Sequence, residues 1–299
     1  MIERIVVPLD GSLTAEAVLP QVRRILHRHD SELLLVRAVV PAPAENSILM
    51  VDASTQGARE YLHGVQERLD REGVRVRSEV RVGSTIGVIL DIVEDSKATM
   101  IAMATHGTTG LKRVLLGSVA EAVLRKSPVP VLAVRPFWSA DEAPSDEVER
   151  RPVRNLLVPV DGSDLSGLVV PAALEISSLF DPRVILLRVL DSRKKADLVR
   201  DFEEAKHHLQ AMAKPFERKG IETLQLVERG DPVAEILQAA RLHGADLIAM
   251  TTHGRSGIGR LVTGSVTEQV LRRAPVPLLV VRAGAPARPK RRPLAAKRR

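Results

Sequence analysis

The chain has 299 residues, an ordinary apolar share of 44%, no cysteine and a formal net charge of +7. That length suits two domains, and the missing cysteine excludes disulfides, thiolate metal sites and cysteine nucleophiles. The charge is local: the tail 283–299 holds Arg288, Lys290, Arg291, Arg292, Lys297, Arg298 and Arg299 and no acid, so residues 1–282 are formally neutral.

The opening run Ile5-Val6-Val7-Pro8-Leu9, ended by Asp10-Gly11-Ser12, reads as a buried strand, a turn and a helix over 13–29. Pro20 should kink that helix or mark a break in it. Glu32 to Val40 is the second strand, apolar on consecutive positions as a strand covered on both faces must be. A helix over 54–72 stops at Gly73. Val74 to Val82 alternates and reads as a half-exposed edge strand. A helix over 85–96 and a strand from Thr99 to Ala104 follow. Residues 137–151, acidic and without periodicity, form a linker. The order then restarts: strand Leu156–Val160, turn Asp161-Gly162-Ser163, and Pro171 in the place of Pro20. Strand 184–190, helix 195–219, strand 221–227, helix 233–243 and strand 245–251 complete it. The tail has too little apolar content to fold and is expected to be dispensable.

The two halves share one long stretch. Residues 105–135 and 252–282 align without a gap and match at 18 of 31 positions, so the chain is an internal repeat. Each copy reads as strand, glycine-containing loop, helix, strand. A helix start leaves backbone N–H groups unpaired and favours an anion. Strands alternating with helices imply a parallel sheet with helices on both faces, in each of the units 1–136 and 152–282. The Asp-Gly-Ser after strand 1 and the glycine loop after strand 4 both fall at the carboxyl edge, where such sheets bind ligands.

These motifs resemble the universal stress protein family in its tandem two-domain form. VVPLDGS and LLVPVDGS at the first strands carry the resemblance, with the ATHG and TTHG turns and the two GSV-x-E-x-V-L-R segments before PVP. It implies two doubly wound five-stranded α/β sheets and ATP binding, with or without Mg²⁺. Asp10 and Asp161 would then contact the nucleoside, beside Pro8 and Pro159, and Ala38 and Val189 would flank adenine. Gly107, Gly117 and Ser118 with Val119 would cradle phosphates in site 1. Gly254, Gly264 and Ser265 with Val266 would do so in site 2. The motif's first glycine is replaced by Ala104 and Thr251. The bulkier threonine crowds the sugar, so site 1 is expected to bind more tightly; Arg255, where the first loop has Thr108, works the other way. The resemblance also points to pairing of the halves as a pseudo-dimer through Val131–Val134 and Leu278–Val281, and leaves a further homodimer open.

Other readings are weaker. Glycines also serve tight turns, but here the spacing, the hydroxyl and the aspartate all recur. Asp10 and Asp161 also suit a helix cap. His106 and His253 follow strand ends without a Ser/His/Asp order around them. His27, His29, His207 and His208 lack a third ligand and read as solvated helix residues. No membrane span is present, and Met1-Ile2-Glu3-Arg4 leads straight into a strand, so a cytoplasmic protein is expected. One Trp and one Tyr give single-stranded nucleic acid little to stack on. Without a G-x-x-x-x-G-K-[S/T] loop, the chain reads as a nucleotide-binding regulator with no catalytic residues and no metal site. A slow ATP-hydrolysing enzyme and a scaffold with degenerate sites are the alternatives.

Overall fold

The computed structural model describes residues 2–26, 31–41, 48–105, 116–136, 151–193, 197–252 and 265–283. The first half runs β1 (Arg4–Pro8), α1 (Leu13–Glu16), α2 (Leu19–Leu26), β2 (Glu32–Val39), α3 (Ile48–Arg71), β3 (Val76–Val82), α4 (Thr85–Asp95), β4 (Met100–Ala104), α5 (Ser118–Lys126) and β5 (Val131–Val134). The second runs β6 (Asn155–Val160), a 3₁₀ turn (Ser166–Val169), α6 (Val170–Phe180), β7 (Arg183–Asp191), α7 (Leu198–Glu217), β8 (Thr223–Gly230), α8 (Pro232–Leu242), β9 (Leu247–Thr252), α9 (Ser265–Arg273) and β10 (Leu278–Arg282).

The strands form one ten-stranded sheet in the order β3-β2-β1-β4-β5-β10-β9-β6-β7-β8. Pairing within each half is parallel, and β1 lies between β2 and β4 as β6 lies between β7 and β9. At the centre β5 and β10 run antiparallel, with Val131 opposite Val280 and Ala133 opposite Leu278. Apolar residues on consecutive positions explain the burial. In β1, Ile5 and Val7 face the layer of α1, α2 and α3, while Val6 faces that of α4 and α5. All three are fully buried, each worth roughly 1.5–3 kcal/mol. In the second half α6 and α7 continue the first layer, and α8 and α9 the second.

The expected helix over 13–29 is divided after Ala17. Pro20 stands second in α2 and Pro171 second in α6. A proline is tolerated there because the first turn's N–H groups have no helical acceptor. α3 starts at Ile48, ahead of the expected 54, because 48–53 reads ILMVDA, without a helix breaker. β8 extends to Gly230 because it stays paired with β7 as far as Asp191. β3 is an edge strand of the sheet. Among the described residues no helix is long and apolar enough to cross a membrane. The linker residues 137–150 and the tail 284–299 lie outside the described residues.

Candidate functional site

Each half folds its Asp-Gly-Ser turn the same way. Asp10 Oδ1 accepts from the Ser12 amide (2.9 Å) and hydroxyl (2.6 Å), and Ser12 Oγ accepts from the Ala15 amide (3.0 Å). Asp161 Oδ1 accepts from the Ser163 amide and hydroxyl at the same distances, and Ser163 Oγ from the Ser166 amide. The serine therefore caps α1, and the aspartate fixes the serine; the capping role read for Asp10 falls two residues later. Gly11 (φ +92) and Gly162 (φ +82) are left-handed. A methyl group on either would also meet a guanidinium, Arg37 at 3.0 Å or Arg188 at 2.6 Å.

At the carboxyl rim of the second half lies a cleft of about 580 Å³. Pro159, Asp161, Val189, Thr251 and Val266, all named from the sequence, line it together. Thr267 Oγ donates to the Thr251 carbonyl (2.9 Å), which ties the start of α9 to the end of β9. Ser265 opens α9; Gly254, Gly264, His253 and Arg255 lie outside the described residues. In the first half Pro8, Ala38 and Ala104 stand at or near the carboxyl ends of β1, β2 and β4, with Asp10 in the turn. Gly117 precedes α5 in extended conformation and donates to the Thr105 carbonyl (2.9 Å). Ser118 and Val119 open α5. Gly107, His106 and Thr108 lie outside the described residues.

Burial disfavours the charge of Asp161, but hydrogen bonds from Ser163 and Ser166 and the nearby Arg188 outweigh it, holding the carboxyl below its usual range. Burial lowers Arg188 from its ordinary value, against the attraction of Asp161 and Asp201. The Arg188 Nε is buried without a partner. His208 also lines the cleft. Burial, then Arg188, lowers its pKa, with Asp161 and Asp164 opposing. The solvated reading of His208 is therefore corrected: the α7 face that packs on the sheet carries Leu209 and Ala205, and it turns His208 inward beside them. His207 is exposed.

Arg37, Arg188 and Tyr61 escaped the sequence reading, and His208 was not among its site residues. A signal existed for the arginines: each interrupts an apolar strand at the position before Ala38 or Val189. Tyr61 and His208 correspond as well, each twelve residues before the glycine, Gly73 or Gly220, that follows its helix. Tyr61 lies over the Arg37 guanidinium (5.0 Å to the ring centre) and donates to Glu16 Oε1 (2.9 Å). Glu16 also pairs with Arg68. Burial and then Glu16 push the Tyr61 phenol up. In the second half Gly167 stands where the first has Glu16, six residues past the aspartate.

Comparison with known proteins matches the universal stress protein family over residues 1–135 and again over 152–282. A universal stress protein of Mycolicibacterium smegmatis is 27% identical over 295 residues, 93% of this chain and 96% of that protein. One of Methanocaldococcus jannaschii is 34% identical over 139 residues, 44% of this chain and 82% of that protein. The crystal structure of a universal stress protein from Archaeoglobus fulgidus superposes with a TM-score of 0.75 at 23% identity, covering 95% of this chain and 100% of that one. That last likeness is one of fold.

Proposed function

From the premise that the chain belongs to the universal stress protein family, as two tandem copies of its domain, we propose that it binds ATP or a related adenine nucleotide at the carboxyl rim of each half and acts as a regulator. The observation that carries this reading is the second-half cleft. Five residues from four separate segments meet on its wall: Pro159 and Asp161, Val189, Thr251, and Val266. Its volume of about 580 Å³ falls within the range of small-molecule sites. Asp161 takes the nucleoside, Pro159 and Val189 the base, and Gly254, Gly264 and Ser265 the phosphates at the start of α9, where the helix favours an anion. Asp10, Pro8, Ala38, Ala104, Gly107, Gly117, Ser118 and Val119 play these parts in the first half. Where Mg²⁺ accompanies the nucleotide, it would enter with the phosphates.

The units are taken as 1–136 and 152–282, joined by 137–151. The β5–β10 pairing supports a pseudo-dimer within one chain, and a cytoplasmic setting suits the ligand. Equilibrium dialysis with labelled ATP tests the reading. Saturable binding that falls by half in Gly117→Asp and in Gly264→Asp, and disappears in the double variant, is expected. No binding to the intact chain would leave a scaffold, and steady release of γ-phosphate an enzyme.

A further inference from the structure

Arg188 is the least satisfied cation of the cleft. Its guanidinium carries five N–H donors in a fixed fork. Nε is buried without a partner, and among the described residues no group accepts a hydrogen bond from the side chain. Half-buried donors left without acceptors are costly, so the place suits an acceptor that arrives with a ligand. The fork lies directly beneath Gly162, next to Asp161, whose Oδ1 already holds Ser163. Donor and acceptor thus meet at one point of the rim. His208 lines the same cleft from α7, within electrostatic reach of both Arg188 and Asp161. Its Nδ1 is buried without a partner, which leaves Nε2 for the cleft. A neutral imidazole with its proton on Nε2 is a second donor group beside the guanidinium.

Charge decides what kind of acceptor fits. Four carboxylates line the cleft: Asp161, Asp191, Asp201 and Glu204. Asp191 pairs with Arg193 (2.8 Å) and Glu204 with Arg200 (2.8 Å). Asp161 and Asp201 then face Arg188, and Asp164 faces His208. Carboxylates already outnumber Arg188, so a further anion is repelled here. The group that meets both demands without charge is a hydroxyl, which donates and accepts at once. We propose that site 2 holds a ribose hydroxyl from both sides, Asp161 accepting from it and Arg188 with His208 donating to it, and so selects ribonucleotides over deoxyribonucleotides. The inference rests on the nucleotide reading above. Site 1 has the acceptor, Asp10, but its arginine is covered by Tyr61, and its tyrosine donates to Glu16 instead of to a ligand.

The test uses the full chain with Gly117→Asp, so that site 2 alone binds. Calorimetry at pH 7.5 compares ATP with its 2′-deoxy and 3′-deoxy analogues. One of the two analogues is expected to bind roughly tenfold more weakly than ATP or worse, the scale of one lost hydrogen bond to a charged group. Adding Arg188→Gln should lower ATP affinity to that of the analogue while changing the analogue's own affinity less than about threefold; His208→Gln should do so in part. Equal affinity for all three nucleotides overturns the inference and leaves the nucleotide reading standing. So does an Arg188→Gln variant that weakens ATP and analogue alike. If the wild-type chain binds no nucleotide, both readings fall. If it binds nucleotide and Gly117→Asp does not, the site 2 assignment falls with this inference.

Discussion

The two halves place an arginine under the same turn and then treat it in opposite ways. Arg37 is covered by Tyr61, which is tied to Glu16, which is tied to Arg68. Arg188 has His208 and Gly167 at the matching positions and an open cleft beside it. The Asp-Gly-Ser turn is shared, down to the left-handed glycine and the serine hydroxyl that accepts from the amide three residues on. A cation–π contact and a hydrogen bond each contribute about 0.5–1.5 kcal/mol, so the first arrangement favours the folded chain. The second leaves polar groups without partners, which costs stability and, in the reading proposed above, leaves them for a ligand.

The comparison can be broken at its root by separating the halves. Val280→Pro removes a backbone donor where β10 pairs with both β5 and β9. It is expected to cost more than about 3 kcal/mol in urea unfolding, and to expose the seam to early proteolysis. If stability is unchanged, the pairing of the halves is not what supports them. A smaller effect should sharpen the contrast. Tyr61→Ala loses packing, the arginine contact and the Glu16 hydrogen bond, about 2 kcal/mol in all. His208→Ala should cost less than about 1 kcal/mol, because its ring nitrogens have no partner to lose. Equal losses at the two positions would erase the distinction.

The smallest effect is a pH dependence from His208. The folded pKa of His208 lies below its ordinary value, so between the two the unfolded chain binds more protons. Stability then rises with pH through that window. The contribution is lost as pH falls below about 6.5, the ordinary histidine value, and no further change comes from this group above it. Unfolding curves from pH 5 to 7.5 should show this slope, and His208→Gln should reduce it. Tyr61→Phe should leave it alone, since the phenol titrates far above this range.

Much of the fold was legible because its causes are local. Strands buried on both faces, such as Ile5-Val6-Val7, must be apolar on consecutive positions, and the alternation of Val74–Val82 marked an edge. The repeat then placed Asp161, Val189 and Thr251 near one rim, where the cleft brings them together. The extension of β8 was not legible, because it follows from pairing with β7 and not from its own residues. The clearest miss was His208. In sequence it sits beside His207 on a polar helix, and only the packing of α7 on the sheet separates the exposed ring from the one in the cleft. The contact of Tyr61 with Arg37 joins residues 24 apart in sequence on different elements, and no local pattern announces it.

The antiparallel join of β5 to β10 has a geometric outcome. Each half runs its strands one way, and the join reverses that direction, so the carboxyl ends of the two sets point to opposite borders of the sheet. A partner that settles on one border meets one Asp-Gly-Ser turn and not the other. The β5 and β10 edges of the two halves are used up inside the chain, in the middle of the sheet, and β3 and β8 form its outer edges. Two identical subunits would have to carry every substitution in both positions at once. Here one chain writes the two borders separately, and a difference such as tyrosine against histidine sets one border apart from the other.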